Sequence, residues 1–90
     1  MDDKKKIEFS KHALEQMQRR GISIATATEI LKNPNQILFQ DNNKVYQSVV
    51  SSKDEKYLIR IFVNDNKDPN LVITAYKTSK ISKYYEGEIR

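Results

Sequence analysis

Phe9-Ser10-Lys11-His12-Ala13-Leu14-Glu15-Gln16-Met17-Gln18-Arg19-Arg20-Gly21-Ile22-Ser23 decides the fold, because it holds a complete helix together with both of its boundaries. Ser10 offers a side-chain acceptor to the unpaired amides of a first turn, Ala13, Leu14 and Met17 recur at helical spacing, and Gly21 supplies a left-handed terminator. Ser23 caps a second helix at once. From Ile24 to Lys32 the chain carries Ala27, Ile30 and Leu31 on one side, and Asn33-Pro34 ends it because the residue before a proline is driven out of helical backbone. Two helices therefore meet at a tight corner around Gly21.

After Pro34 the period changes. Ile37 to Phe39, Lys44 to Val50, Tyr57 to Val63 and Leu71 to Lys77 are short and rich in β-branched and aromatic residues, which fit a pleated surface. Asp41-Asn42-Asn43, Ser51 to Lys56 and Asn64 to Asn70 supply turns, since Asn and Asp tolerate left-handed backbone. The expected architecture is α+β: two N-terminal helices packed on a curved, mostly antiparallel four-stranded sheet with neighbour-to-neighbour pairing. In the third strand Leu58, Arg60 and Phe62 point one way, and Tyr57, Ile59, Ile61 and Val63 form the core face. The last strand splits into Leu71, Ile73 and Ala75 against Val72, Thr74, Tyr76 and Thr78, so both faces are partly apolar and the strand is expected to be central. Ser79 to Arg90 shows no clean period and reads as a short helix or a mobile tail.

Ninety residues with 38% hydrophobic content support one domain with one modest core, spanning 1–90 with 1–6 and 85–90 expected to be flexible. The formal charge of +4, from 16 Lys and Arg against 12 Asp and Glu, favours an anionic partner, although much of the excess sits toward the ends, where solvated termini explain it equally well. The chain has no cysteine, which removes disulfides, thiolate nucleophiles and thiolate metal sites and fits a reducing cytoplasm. No apolar run approaches the roughly 20 residues needed to cross a bilayer. Only Gly21 and Gly87 are glycine, so a glycine-rich phosphate loop is missing. With one histidine and with Asp54, Glu55, Asp65 and Asp68 in turns, neither a metal nor a cofactor is expected.

Three groups of residues can carry chemistry. His12, Gln16 and Arg20 flank the apolar stripe of the first helix, at about 100° per residue, and a half-desolvated histidine there would titrate near neutrality, as acid–base catalysis requires. The alternative is a histidine that simply hydrogen-bonds a neighbouring strand or loop. Arg60 is the one charge inside an apolar strand, and its guanidinium needs a carboxylate, as in a structural salt bridge to a helix, or an anionic ligand such as phosphate. Tyr76, Thr78, Ser79 and Lys80 leave the last strand together, where hydroxyls, a free backbone amide and an ammonium can meet a phosphate. Gln47 and Tyr46 add polar atoms on a face the sequence does not fix.

Taken together, Phe9-Ser10-Lys11-His12-Ala13, Met17, Arg20-Gly21-Ile22-Ser23, Ile30-Leu31-Lys32-Asn33-Pro34 and Thr74-Ala75-Tyr76-Lys77-Thr78 resemble an uncharacterised bacterial family of small domains grouped with BrnT-like and RelE/ParE-like toxins. The resemblance runs from about Ile7 to Lys80. It implies the α+β fold shared by RelE-like and barnase-like ribonucleases, and RNA cleavage without metal by basic side chains and often a tyrosine. His12, Arg60, Tyr76 and Lys80 are then the expected catalytic set, and Arg19, Arg20, Lys44, Thr78, Ser79 and Lys83 the expected RNA-binding set. RNA and a cognate antitoxin protein are the implied partners. A non-catalytic RNA- or protein-binding module of the same fold is the alternative. In the catalytic version His12 serves as base or acid, Arg60 and Arg20 stabilise the phosphorane, and Tyr76 or Lys80 completes the proton traffic. This requires His12 and Arg60 to face one another across a shared hollow.

Overall fold

The computed structural model describes residues 6–87, in which β1 (Ile7–Phe9), α1 (Lys11–Arg19), α2 (Ile24–Lys32), β2 (Gln36–Gln40), β3 (Asn43–Ser52), β4 (Glu55–Asn64), β5 (Asn70–Thr78) and α3 (Ile81–Tyr84) follow one another. The helix boundaries form as the sequence predicts. Ser10 Oγ accepts from the Ala13 amide at 3.0 Å, and Ser23 Oγ accepts from the Thr26 amide at 3.0 Å. Gly21, at φ 70°, lets the Ile22 amide return to the Met17 carbonyl at 2.8 Å, which satisfies an orphan acceptor and buries Ile22 beside Met17.

The sheet has five strands in the order β1-β5-β4-β3-β2, with β1 parallel to β5 and every other pair antiparallel. The α+β class and the antiparallel meander of β2 to β5 agree with the sequence, whereas the four-stranded sheet needs correction. Ile7–Phe9 adds a short parallel edge strand, pinned at its ends by Asn70 N to Lys6 O and Ser10 N to Val72 O, both 3.0 Å. Asp41 and Asn42, at φ 53° and 67°, close a two-residue hairpin whose backbone twist matches its strands.

A bulge alters the expected faces of β5. Phe62 pairs with Thr74 and Val63 with Val72, which leaves Ile73 as an extra residue. Val72 and Ala75 thereby reach the same face, and both are fully buried. That face is the core: Ile59, Ile61 and Val63 of β4 pack with Ala13 and Met17 of α1 and Ala27 and Ile30 of α2. The opposite face carries Leu58, Arg60 and Phe62, as expected, and is covered by α3 and the residues after it. Of the termini expected to be flexible, residues 1–5 and 88–90 lie outside the described residues. Among the described residues no helix is long and apolar enough to cross a membrane.

Candidate functional site

Register places Gln47 opposite Arg60 on β3 and Tyr76 opposite Arg60 on β5, so strand pairing alone gathers these side chains on the face away from the helices. Arg60 is 2% exposed. Its Nε donates to Gln47 Oε1 at 2.8 Å, Nη1 to the Tyr76 hydroxyl at 2.9 Å, and Nη2 to Gln40 Oε1 at 3.2 Å. Every one of these acceptors is neutral. The ion pair among the described residues is Lys44–Asp65, elsewhere in the molecule, so the structural salt bridge considered for Arg60 does not form.

Aromatic faces take the place of a counter-ion. The guanidinium carbon lies 4.5 Å from the Tyr84 ring centroid, 5.4 Å from Phe62 and 5.9 Å from Tyr76, where the ring quadrupoles attract a cation. Phe62 stacks on Tyr76 at 6.0 Å, and Tyr84 meets Tyr76 edge-on at 6.3 Å. A guanidinium has five N–H donors, and three hydrogen bonds leave it capable of more. Among the described residues no carboxylate compensates its charge, which sits in a region of low dielectric.

Two further cations extend this centre outward. Arg20, at the C-terminal end of α1, donates from Nη1 to the Ala75 carbonyl at 3.0 Å. That carbonyl lies on the edge of β5 beyond the last β1 pair at Val72. The Arg20 guanidinium also sits 6.0 Å from the Tyr76 ring centroid. On the other flank, Lys83 Nζ lies 5.3 Å from the Tyr84 ring. The result is a continuous alternation of cation and aromatic ring: Arg20, Tyr76, Arg60, Tyr84, Lys83.

The segment after β5 shapes the rim. Thr78 Oγ1 accepts from the Lys80 amide at 3.0 Å, turning the chain into α3 and leaving the Ser79 and Lys80 side chains exposed. Gln47 Nε2 donates to the Tyr84 carbonyl at 3.2 Å and to Gln36 Oε1 at 2.8 Å. Gln36 Oε1 accepts from the Glu86 amide at 3.1 Å, and its Nε2 donates to the Glu86 carbonyl. Glutamine amides thus bind both the guanidinium and the segment that covers it.

Other expected members are not brought here. His12 is exposed on α1, and no hydrogen bond or ring contact among the described residues joins its imidazole to the Arg60 cluster. The expected meeting across one hollow is not among the contacts of the described residues. Alternation turns Arg60 away from the face that holds Ile61, against which α1 buries Ala13 and Met17. Lys44 also belongs to the helix side, with its Nζ 3.7 Å from Asp65 Oδ2. Arg19 is exposed beside Arg20 with no hydrogen bond of its own among the described residues.

Gln36, Gln40 and Tyr84 are members of the site that sequence reading missed. The signal available was a period of two: Gln36, Leu38 and Gln40 on β2 share a face with Val45 and Gln47 on β3, and three glutamines on one sheet face mark it as something other than core. Tyr46, by contrast, joins the helix-side core. Among the described residues no cluster of three or more metal-ligating side chains occurs.

Fold and site define a small α+β domain with a buried cation on one sheet face, held among the described residues by neutral partners. A family profile described as Domain of unknown function (DUF4258) matches residues 9–77, well over half of the chain, and the chain belongs to that family. No curated protein and no solved structure matches it.

Proposed function

We propose that the domain binds RNA over α3, on the side of the sheet away from α1 and α2, with Arg60 as the buried source of positive potential and Arg20, Lys80 and Lys83 as phosphate contacts. The observation that supports this most strongly is a guanidinium 2% exposed whose hydrogen-bond partners are all neutral. Burying such a charge opposes folding unless something other than stability keeps it. Tyr84 and Tyr76 beside the exposed cations add ring faces suited to unpaired bases, while lysine and arginine track the backbone.

A second reading, a toxin-like metal-independent endoribonuclease of the RelE/BrnT kind, draws support from Tyr76. Its hydroxyl accepts from Arg60 and its ring adjoins Arg20, so a group able to donate a proton is bracketed by cations that would stabilise a phosphorane. His12 has no part in either version.

A fluorescent single-stranded RNA oligonucleotide, followed by anisotropy and then by gel, separates the two. Three phosphate contacts give a logarithmic salt slope of about −2, and Arg20→Ala or Lys83→Ala should each lower that slope by roughly 0.7 whatever the sequence. Intact RNA after binding supports the module, and fragments formed in the presence of a chelator support the ribonuclease. Absence of salt-dependent binding overturns both.

A further inference from the structure

Strand β2 lies at one edge of the sheet, so one side of its backbone has no neighbouring strand among the described residues. Asp41 and Asn42 close a two-residue hairpin, which makes Gln40 and Asn43 a hydrogen-bonded pair and turns the amides and carbonyls of Gln36, Leu38 and Gln40 toward β3. Those of Ile37 and Phe39 therefore point outward. Among the described residues no backbone hydrogen bond from another element reaches them.

Exposed sheet edges are usually blunted by charge, proline or a bulge. β2 has none of these: it pairs with β3 without a register shift, and all of its side chains are neutral. Ile37 and Phe39 are 45% and 75% exposed, Phe39 being the most exposed of the large apolar residues described. The far edge is guarded by contrast. β1 is three residues long, and beyond it Arg20 Nη1 occupies the Ala75 carbonyl at 3.0 Å.

The order Gln36-Ile37-Leu38-Phe39-Gln40 reads the same by side-chain type in both directions, with glutamines outside and large apolar residues inside. We infer that β2 is a self-association edge: two copies of the chain pair β2 with β2, antiparallel about a two-fold axis at Leu38, and join two five-stranded sheets into one. In that register Ile37 meets Phe39 of the second copy and Phe39 meets its Ile37. Every outward amide and carbonyl gains a partner, and both exposed side chains gain an apolar neighbour across the strands. Two chains of formal charge +4 meet here along a strand without charge, whereas a charged peptide would find no ion partner within it. The inference does not depend on RNA binding.

The test follows the molar mass of the whole chain by sedimentation from low micromolar to millimolar concentration, where a reversible monomer–dimer equilibrium is expected. Phe39→Lys should weaken the dimer about tenfold or more with unfolding of the monomer unchanged, whereas Ile24→Lys, also at an exposed position but on α2, should leave it intact. Register is read by oxidising single-cysteine variants, since the chain has no cysteine of its own. Leu38 faces its own counterpart across the axis at a Cα separation of about 4.5 Å, so Leu38→Cys should give a disulfide-linked dimer. Gln36→Cys, about 14 Å from its counterpart by strand rise, should not. A monomer at every concentration, a dimer broken by Ile24→Lys but indifferent to Phe39→Lys, or equal cross-linking of the two cysteine variants would overturn the inference.

Discussion

On the helix side of the sheet Ile59, Ile61 and Ala75 bury against Ala13 and Met17, whereas the opposite side, displaced by one residue along the same strands, holds Arg60, Gln47 and Tyr76. The first face is apolar and packed by two capped helices. The second mixes the buried Leu58 and Val45 with polar and aromatic side chains and is covered by a four-residue helix that lacks a side-chain N-cap. The contrast teaches that both faces bury apolar groups, while only the second also retains a charge whose burial opposes folding. The proposed RNA binding would account for that cost in a small domain.

Substitutions on either face should therefore separate stability from binding. The largest stability effect belongs to the helix side: Ile61→Ala, at a fully buried position, should cost about 2–5 kcal/mol in denaturant unfolding, enough to unfold much of the protein. Arg60→Met should behave differently. Relief of the buried charge offsets the acceptors left on Gln47, Gln40 and Tyr76 to within about 2 kcal/mol, while RNA affinity falls at every salt concentration. A loss of stability matching that of Ile61→Ala would make Arg60 an ordinary structural residue.

Ser10→Ala tests the helix layer more gently. Removing the cap on Ala13 should destabilise by about 1 kcal/mol without changing RNA binding. His12→Ala should alter neither stability nor RNA binding nor any RNA cleavage, because the exposed imidazole makes no hydrogen bond or ring contact with the Arg60 cluster among the described residues. Loss of cleavage in that variant would return the histidine to the mechanism.

The smallest effect lies on the β3–β4 hairpin. The Tyr57 hydroxyl donates to Glu55, and that hydrogen bond, followed by the carboxylate charge, holds its pKa above the ordinary tyrosine value. A raised phenol pKa favours the folded state while the phenol keeps its proton. The contribution is thus complete below the ordinary value and disappears as pH rises through the folded one. Tyr57→Phe should flatten that alkaline decline, measured by denaturant unfolding at graded high pH.

Much of this contrast was legible in the residues. Ser10, Gly21, Ser23 and Pro34 punctuate the chain by local chemistry alone, and the alternation from Tyr57 to Val63 by itself puts Arg60 and Ile61 on opposite faces. Strand β1 was not legible, because three residues carry no period and their pairing is made with β5 more than sixty positions away. The bulge at Ile73 was equally hidden, since an extra residue is set by pairing across to β4 and leaves no mark on composition. His12 shows where residue types mislead: a helix flank fixes distance from the core stripe, but the side of the sheet on which that helix packs is decided by tertiary structure. The covering of Arg60 by Tyr84 likewise depends on glutamines from two other strands.

Amide NMR during titration with a short single-stranded RNA reads both faces at once. Shifts concentrated at Gln47, Arg60, Tyr76, Lys83 and Tyr84, fading as salt rises, with Lys11 to Glu15 unmoved, are the predicted result. Shifts centred on His12 and the exposed side of α1, or none at any RNA concentration, would contradict it.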